Sequence, residues 1–378
     1  MVRTPVRTNT PPPDSPFDEV VGGARLGISG TPVVADGVAP PSAIDAKAWL
    51  VADPESGRVL AALNAHARLP PASTIKLLTA VALFPEVDAD TTYTVTDADV
   101  TVEGSRVGLV PGQHYSRDEL IHGLLLASGN DTANALAQLV GGQSRALTLM
   151  AEQTKRVGAF DTTATTTHGL DEPAQRTSVY DLALVARAVL EDPDLAAVVR
   201  TETFNFPGLS GKTFQIQNHN RLIGSYAGAL GLKTGFTSIS GHTLVAAARR
   251  DGVTLVAVVL GAKDRAEPAA ATLLDWGFSQ GQNGKPIGHL VTPSEVAAAE
   301  AVARERASSL QPLADQTAAQ GSGGVEPDES QPDISAPAWL WAGLLVAVVA
   351  TGVFTLERHR RETSAAAATP DPRRARRG

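Results

Sequence analysis

The chain contains no cysteine, which excludes a thiol nucleophile, a thiolate-bound metal and a disulfide framework, while leaving export without disulfides open. Its eight histidines are scattered, with no His-Glu-x-x-His string and no pair at helical ligand spacing, so neither a metal nor a cofactor is expected. Aromatic residues make up only 4 %. Basic residues are outnumbered, 32 against 40 acidic ones, and the net charge of -8 leaves no basic face outside one arginine-rich tail. Nucleic acid is thereby excluded as a partner. Lysine is scarce, with 25 of the 32 basic residues being arginine, and two of the seven lysines, Lys76 and Lys233, fall inside the short strings that matter below.

What is present is a 378-residue chain with 43 % hydrophobic residues, enough to bury a sizeable core. Residues 1–42 are rich in proline, glycine and threonine and have neither helical nor strand period, which predicts disorder. The runs 46–51 and 58–63 flank Asp53-Pro54-Glu55-Ser56-Gly57 and predict a hairpin; 243–248 and 253–260 flank Arg249-Arg250-Asp251-Gly252 and predict a second. Between them, Pro70-Pro71-Ala72 leads into a helix ending near Phe84, 118–127 and 131–140 are helices broken at Ser128-Gly129-Asn130, and 178–190 is another. Strands at both ends with helices between them predict an α/β or α+β domain over 43–280, its sheet closed by the two chain ends.

Residues 281–336 are polar and predict a linker holding one helix near 294–309; fully flexible, such a stretch spans roughly 40 Å. Residues 337–356 carry no charge and begin with Trp339 and Trp341, which predicts a single transmembrane helix with an aromatic belt. The arginine-rich residues 357–378 then form a cytoplasmic tail, placing the domain outside the cell membrane. Export of that domain requires a signal segment, and none is found before residue 44, so a start codon assigned too late is the expectation.

Three strings carry chemistry. In Ser73-Thr74-Ile75-Lys76 the serine and lysine stand at i and i+3, on one face of a helix start, so that the amine approaches the hydroxyl. Burial and a second cation, Lys233, would keep that amine neutral. Ser128-Gly129-Asn130 at a helix break directs a proton-relaying hydroxyl and a positioning amide into a cleft. Lys233-Thr234-Gly235 suits a cleft-side edge strand that binds a carboxylate, with glycine permitting close backbone approach.

These strings, with Leu126-Ala127-Ser128-Gly129-Asn130-Asp131-Thr132-Ala133, His168-Gly169-Leu170-Asp171 and the stretch 273–278, make the chain resemble low-molecular-mass penicillin-binding proteins of the D-alanyl-D-alanine carboxypeptidase type over about residues 43–280. The resemblance implies a β-lactamase/transpeptidase-like fold, an antiparallel sheet flanked by helices with a helical subdomain. It implies Ser73 as nucleophile toward a peptidoglycan stem peptide, Lys76 as general base, and Ser128 with Asn130 as relay and positioning pair. Lys233, Thr234 and Gly235 would hold the substrate, the N–H groups of Ser73 and Phe236 would form the oxyanion hole, and β-lactams would inhibit. Three departures accompany it: no second all-β domain follows, the membrane attachment reads as a true span, and Phe236 stands where several relatives have histidine.

Competing readings keep the same residues. A β-lactamase needs a deacylating base, commonly Glu-x-x-x-Asn, but four residues after Glu172 stands Arg176. An endopeptidase acting on cross-links is hardly separable by sequence. A wall-binding module without enzymatic activity is the reading from another class.

Overall fold

Valine, leucine and alanine fill both expected hairpins, and in the computed structural model both enter one antiparallel sheet. The structure describes residue 12 and residues 14–321, with side chains as far as residue 309. In chain order the elements begin with β1 (Val33–Val34), β2 (Ala48–Ala52), β3 (Arg58–Leu63), α1 (Lys76–Leu83), β4 (Thr92–Thr94), α2 (Asp97–Val100) and β5 (His114–Ser116). Four helices follow, α3 (Arg117–Leu125), α4 (Asn130–Leu139), α5 (Gln143–Val157) and α6 (Val179–Glu191), then α7 (Pro193–Arg200) and the hairpin β6 (Thr203–Pro207) and β7 (Thr213–Gln217). The chain returns to the sheet with β8 (Ala229–Thr237), β9 (Gly241–Arg250) and β10 (Val253–Ala262), and continues through α8 (Ala266–Ser279), β11 (Gly288–His289) and α9 (Pro293–Gly321).

The main sheet runs β1-β3-β2-β10-β9-β8, with β11 also on β3. Strand alternation sends successive side chains to opposite faces. Leu50, Val245, Val256 and Val258 join the core of α1 and α6, whereas Trp49, Val51, Leu244 and Leu255 pack on Leu273 and Leu274 of α8. The eight residues of α1 are all buried, and helices α3 to α6 surround it. This is a mixed α/β fold, an antiparallel sheet with helices on both faces. All of the sheet lies in the unit Met1–Gln311, with Pro312–Gly378 forming a second unit.

The sequence predicts disorder for 1–42, but residues 14–42 pack against the domain. Val21 and Leu26 are buried, β1 pairs with β3 at Val33↔Ala62, His66 Nε2 donates to the Val21 carbonyl at 3.1 Å, and Trp276 Nε1 donates to the Ala39 carbonyl at 2.7 Å. The segment is held by main-chain bonds on a strand edge, and these leave no periodic pattern in a sequence. The start of the expected linker is also structured. Ile287, Leu290 and Val291 are buried, β11 pairs with β3 at Gly288↔Val59, and Arg58 donates to the carbonyls of Gln282 and Gly284. The helix expected near 294–309 is α9. The apolar stretch 337–356 and the arginine tail lie outside the described residues; among the described residues no helix is long and apolar enough to cross a membrane.

Candidate active site

Pro70 and Pro71 lead into a tight 3-10 turn, Ala72–Ile75, that runs directly into α1. Ser73 sits in that turn, and Ala72 before it is held at φ 48°, a conformation that a non-glycine residue adopts at a cost. Lys76 is fully buried, its Nζ 3.0 Å from Ser73 Oγ, 2.7 Å from Asn130 Oδ1 and 2.5 Å from the His168 carbonyl. Burial first, and then the positive charge of Lys233, holds its pKa well below the ordinary lysine value, with Asp131 opposing. In its neutral form the amine has two N–H bonds and one lone pair. Asn130 Oδ1 and the His168 carbonyl only accept, so each takes an N–H of Lys76, whose Nζ also donates to Ser73 Oγ when protonated; in the neutral form the lone pair is the group left for the Ser73 hydroxyl.

The orientation of Asn130 is fixed from the other side. Its Nδ2 donates to the Glu103 carbonyl at 2.6 Å and its backbone N–H to the Ser105 carbonyl at 2.8 Å. That loop is in turn pinned by Asp131, a buried carboxylate that accepts the N–H groups of Val107, Gly108 and Leu109 at 2.8–3.1 Å and of Thr132 at 3.0 Å. Ser128, buried at the break between α3 and α4, is held at φ 61°.

Strand β8 ends the sheet order, so among the described residues no strand pairs with its outer edge. Gly235 lies against the serine turn: a Cβ there would stand 2.7 Å from the Ser73 nitrogen and 2.5 Å from Thr243 Oγ1, so only glycine fits. Lys233 is buried, donates to the Thr234 carbonyl at 2.9 Å, and has its pKa lowered by burial to about 7. Ser73, Thr234, Gly235 and Phe236 open on a cleft of about 690 Å³ that His219 and Arg221 also line. Burial, followed by the charge of Lys76 at His168 and of Lys233, Arg221 and Lys76 at His219, lowers both pKa values to about 4, so both rings are neutral near pH 7.

The structure therefore brings Ser73, Lys76 and Asn130 into direct contact, sets Gly235 on the serine backbone, and places Ser128 and Lys233 at the margin with side chains not bonded to Ser73. Sequence reasoning missed the carbonyls of His168 and Glu103, because a backbone oxygen has no residue-type signature. It also missed Asp131 as the anchor of the loop, although that residue directly follows Asn130. Gly169 was the available signal for the His168 contact: it has φ 91°, and a Cβ there would come 2.2 Å from the Ala72 carbonyl oxygen.

A family model described as D-alanyl-D-alanine carboxypeptidase matches residues 35–264. The D-alanyl-D-alanine carboxypeptidase DacB2 of Mycobacterium tuberculosis is 40 % identical over 241 residues, covering 62 % of this chain and 82 % of its own. DacC of Escherichia coli, of the same description, is 38 % identical over 260 residues, covering 65 % of this chain but only 64 % of its own length. A crystal structure of a D-alanyl-D-alanine carboxypeptidase from Mycobacterium tuberculosis superimposes with a TM-score of 0.66 at 37 % identity, over 68 % of this chain and all of that one.

Proposed function

This chain belongs to the D-alanyl-D-alanine carboxypeptidase family and is a serine hydrolase; on that premise we propose that it removes the terminal D-alanine from peptidoglycan stem pentapeptides through a Ser73 acyl-enzyme. The observation that carries this reading is the buried Lys76 Nζ at 3.0 Å from Ser73 Oγ. Ser73 Oγ attacks the carbonyl of the penultimate D-alanine as its proton passes to Lys76 Nζ. The oxyanion is received by the N–H groups of Ser73 and Phe236, each such donor contributing about 2.7–4 kcal/mol. The peptide C–N bond breaks, the leaving amine takes a proton by way of Ser128, and D-alanine departs. Water then attacks the ester carbonyl and restores Ser73. Lys233 and Thr234 hold the terminal carboxylate, and Asn130 positions both Lys76 and the substrate amide.

β-Lactams acylate the same serine, their ring amide standing in for the D-alanyl-D-alanine bond. Their acyl-enzymes are expected to persist, since the Glu-x-x-x-Asn string of a deacylating base is not completed at Glu172, where Arg176 stands four residues on. Glu172 is exposed, and its contact with Arg176 runs through its carbonyl. An endopeptidase acting on cross-links uses the same groups. Incubation with a soluble pentapeptide and with a cross-linked dimer separates the two: D-alanine from the pentapeptide, lost in Ser73→Ala, supports the carboxypeptidase, whereas cleavage of the dimer alone overturns it.

The placement proposed for the enzyme is the cell membrane, anchored by a single helix over 337–356 with the catalytic domain outside. The uncharged stretch with Trp339 and Trp341, followed by arginines, supports it. Sedimentation with membranes by the full chain but not by one ending at residue 336 is the expected result, and equal partitioning contradicts it.

A further inference from the structure

His66 and Asp161 form a buried pair that takes no direct part in the chemistry at Ser73. Both side chains are 6 % exposed, and His66 Nδ1 stands 2.7 Å from Asp161 Oδ2. The Val21 carbonyl can only accept, so Nε2 bears a proton, and one more lies between Nδ1 and the carboxylate. Beside them the buried Asp181 has its pKa raised well above the ordinary value, by burial first and then by the Asp161 charge, and its carboxyl accepts from Thr162 Oγ1 at 2.7 Å. The pair joins two segments that run to the reactive groups, since Ser73 lies seven residues after His66 and His168 seven residues after Asp161. The segments are tied along their length. Arg68 donates to the Asp161 carbonyl at 3.0 Å and to Thr163 Oγ1 at 2.9 Å. Leu69 exchanges main-chain bonds with Thr177, whose hydroxyl meets that of Thr162 at 2.9 Å. At the far ends Gly169 sits on the Ala72 carbonyl, and the His168 carbonyl accepts from Lys76 Nζ.

We infer that His66 and Asp161 are a positioning pair for the acylation step: by tying the two segments together where they start, they hold the His168 carbonyl against Lys76 Nζ. The inference rests on Lys76 acting as the base toward Ser73. A buried carboxylate that has lost its partner is costly to keep, so without the Nδ1 contact the loop 161–168 moves to hydrate Asp161. The His168 carbonyl moves with it. A carbonyl that accepts from Lys76 favours the ammonium form, so its displacement leaves the amine less firmly aimed and harder to protonate. Acylation then slows, and its acid limb shifts to lower pH. Lys233 and Asp131, the other charges acting on Lys76, belong to β8 and α4 and stay in place. The second ring nitrogen serves a different end, since its bond to the Val21 carbonyl fastens the segment 14–42 and reaches neither Ser73 nor Lys76.

Two substitutions divide the bonds of the ring. His66→Asn sets an amide N–H where Nδ1 stands and keeps the Asp161 contact; His66→Gln sets one where Nε2 stands and keeps the Val21 contact. The measurement is the rate constant for acylation by a penicillin across pH, which does not depend on how much of a preparation is folded, together with hydrogen exchange in residues 14–42. His66→Gln should slow acylation by about 10–10²-fold, the cost of a misplaced catalytic group, with the acid limb displaced to lower pH and residues 14–42 still protected. His66→Asn should acylate at the wild-type rate while residues 14–42 exchange faster. A wild-type rate in His66→Gln, an acid limb that stays in place there, or the reverse pattern between the two variants would overturn the positioning role alone. The absence of an acid limb in the wild-type enzyme would overturn Lys76 as the base, and the positioning role with it.

Discussion

Lys76 owes its character to the groups around it. A lysine on the surface is an ammonium near neutrality, but this one is buried, faces a second buried lysine and is bonded to two oxygens that can only accept. Its lowered pKa has a definite consequence for the sign of the pH dependence. The free base exists above the folded-state pKa, so acylation should fall as pH drops through that value and protonates the lone pair. Lys233, shifted to about 7, must carry its proton to hold a carboxylate as proposed, so on that role kcat/KM for a peptide should also fall on the alkaline side. A bell-shaped profile is expected, its two limbs belonging to the lysine pair jointly; a flat acid limb would remove Lys76 as the base. Gly235 carries a second prediction at this scale. In Gly235→Ala the new methyl meets the Ser73 nitrogen, so the donor proposed for the oxyanion is displaced. Acylation by β-lactam should slow by about 10²–10³, the cost of losing one such donor, with stopped-flow acylation rates as the measurement.

Among elements, the loop 103–110 shows how the site depends on groups that do no chemistry. Asp131 collects four N–H groups, and the loop so fixed offers the carbonyls of Glu103 and Ser105 to Asn130, which in turn bonds Lys76. Asp131→Ala should lower unfolding free energy by about 2–4 kcal/mol, because buried donors are left without partners, and should reduce kcat more than it raises KM; urea unfolding and peptide kinetics check the two halves. Much of this level was readable beforehand. The hairpins became β2 with β3 and β9 with β10, the helix break at Ser128 separates α3 from α4, and Lys233-Thr234-Gly235 stands on an edge strand. Ser73 lies in a 3-10 turn that runs directly into α1, and it keeps its i, i+3 relation to Lys76. The supporting loops were not readable, because their contribution is made by main-chain oxygens and by glycines that make room.

For the whole molecule, both flanks of the catalytic domain contribute to the sheet. β1 and β11, each two residues long, lie on the same strand, β3, and cover an edge that would otherwise be exposed. Proline and glycine content suggested a disordered lead-in because the pattern of an extended strap is set by the edge it follows. Removal of residues 1–42 should therefore destabilise the domain by about 2–4 kcal/mol, since each buried Val or Leu contributes about 1.5–3 kcal/mol and the ordering of the strap offsets part of it; an unchanged urea midpoint would restore the disordered reading. The central claim is a covalent one, that a lysine-activated Ser73 takes up the acyl group. Its most direct measurement is intact mass after exposure to a penicillin, with the modified peptide located by fragmentation. The account predicts one stable adduct per chain, on Ser73, and none in Ser73→Ala; an adduct on another residue, or its persistence in Ser73→Ala, would contradict it.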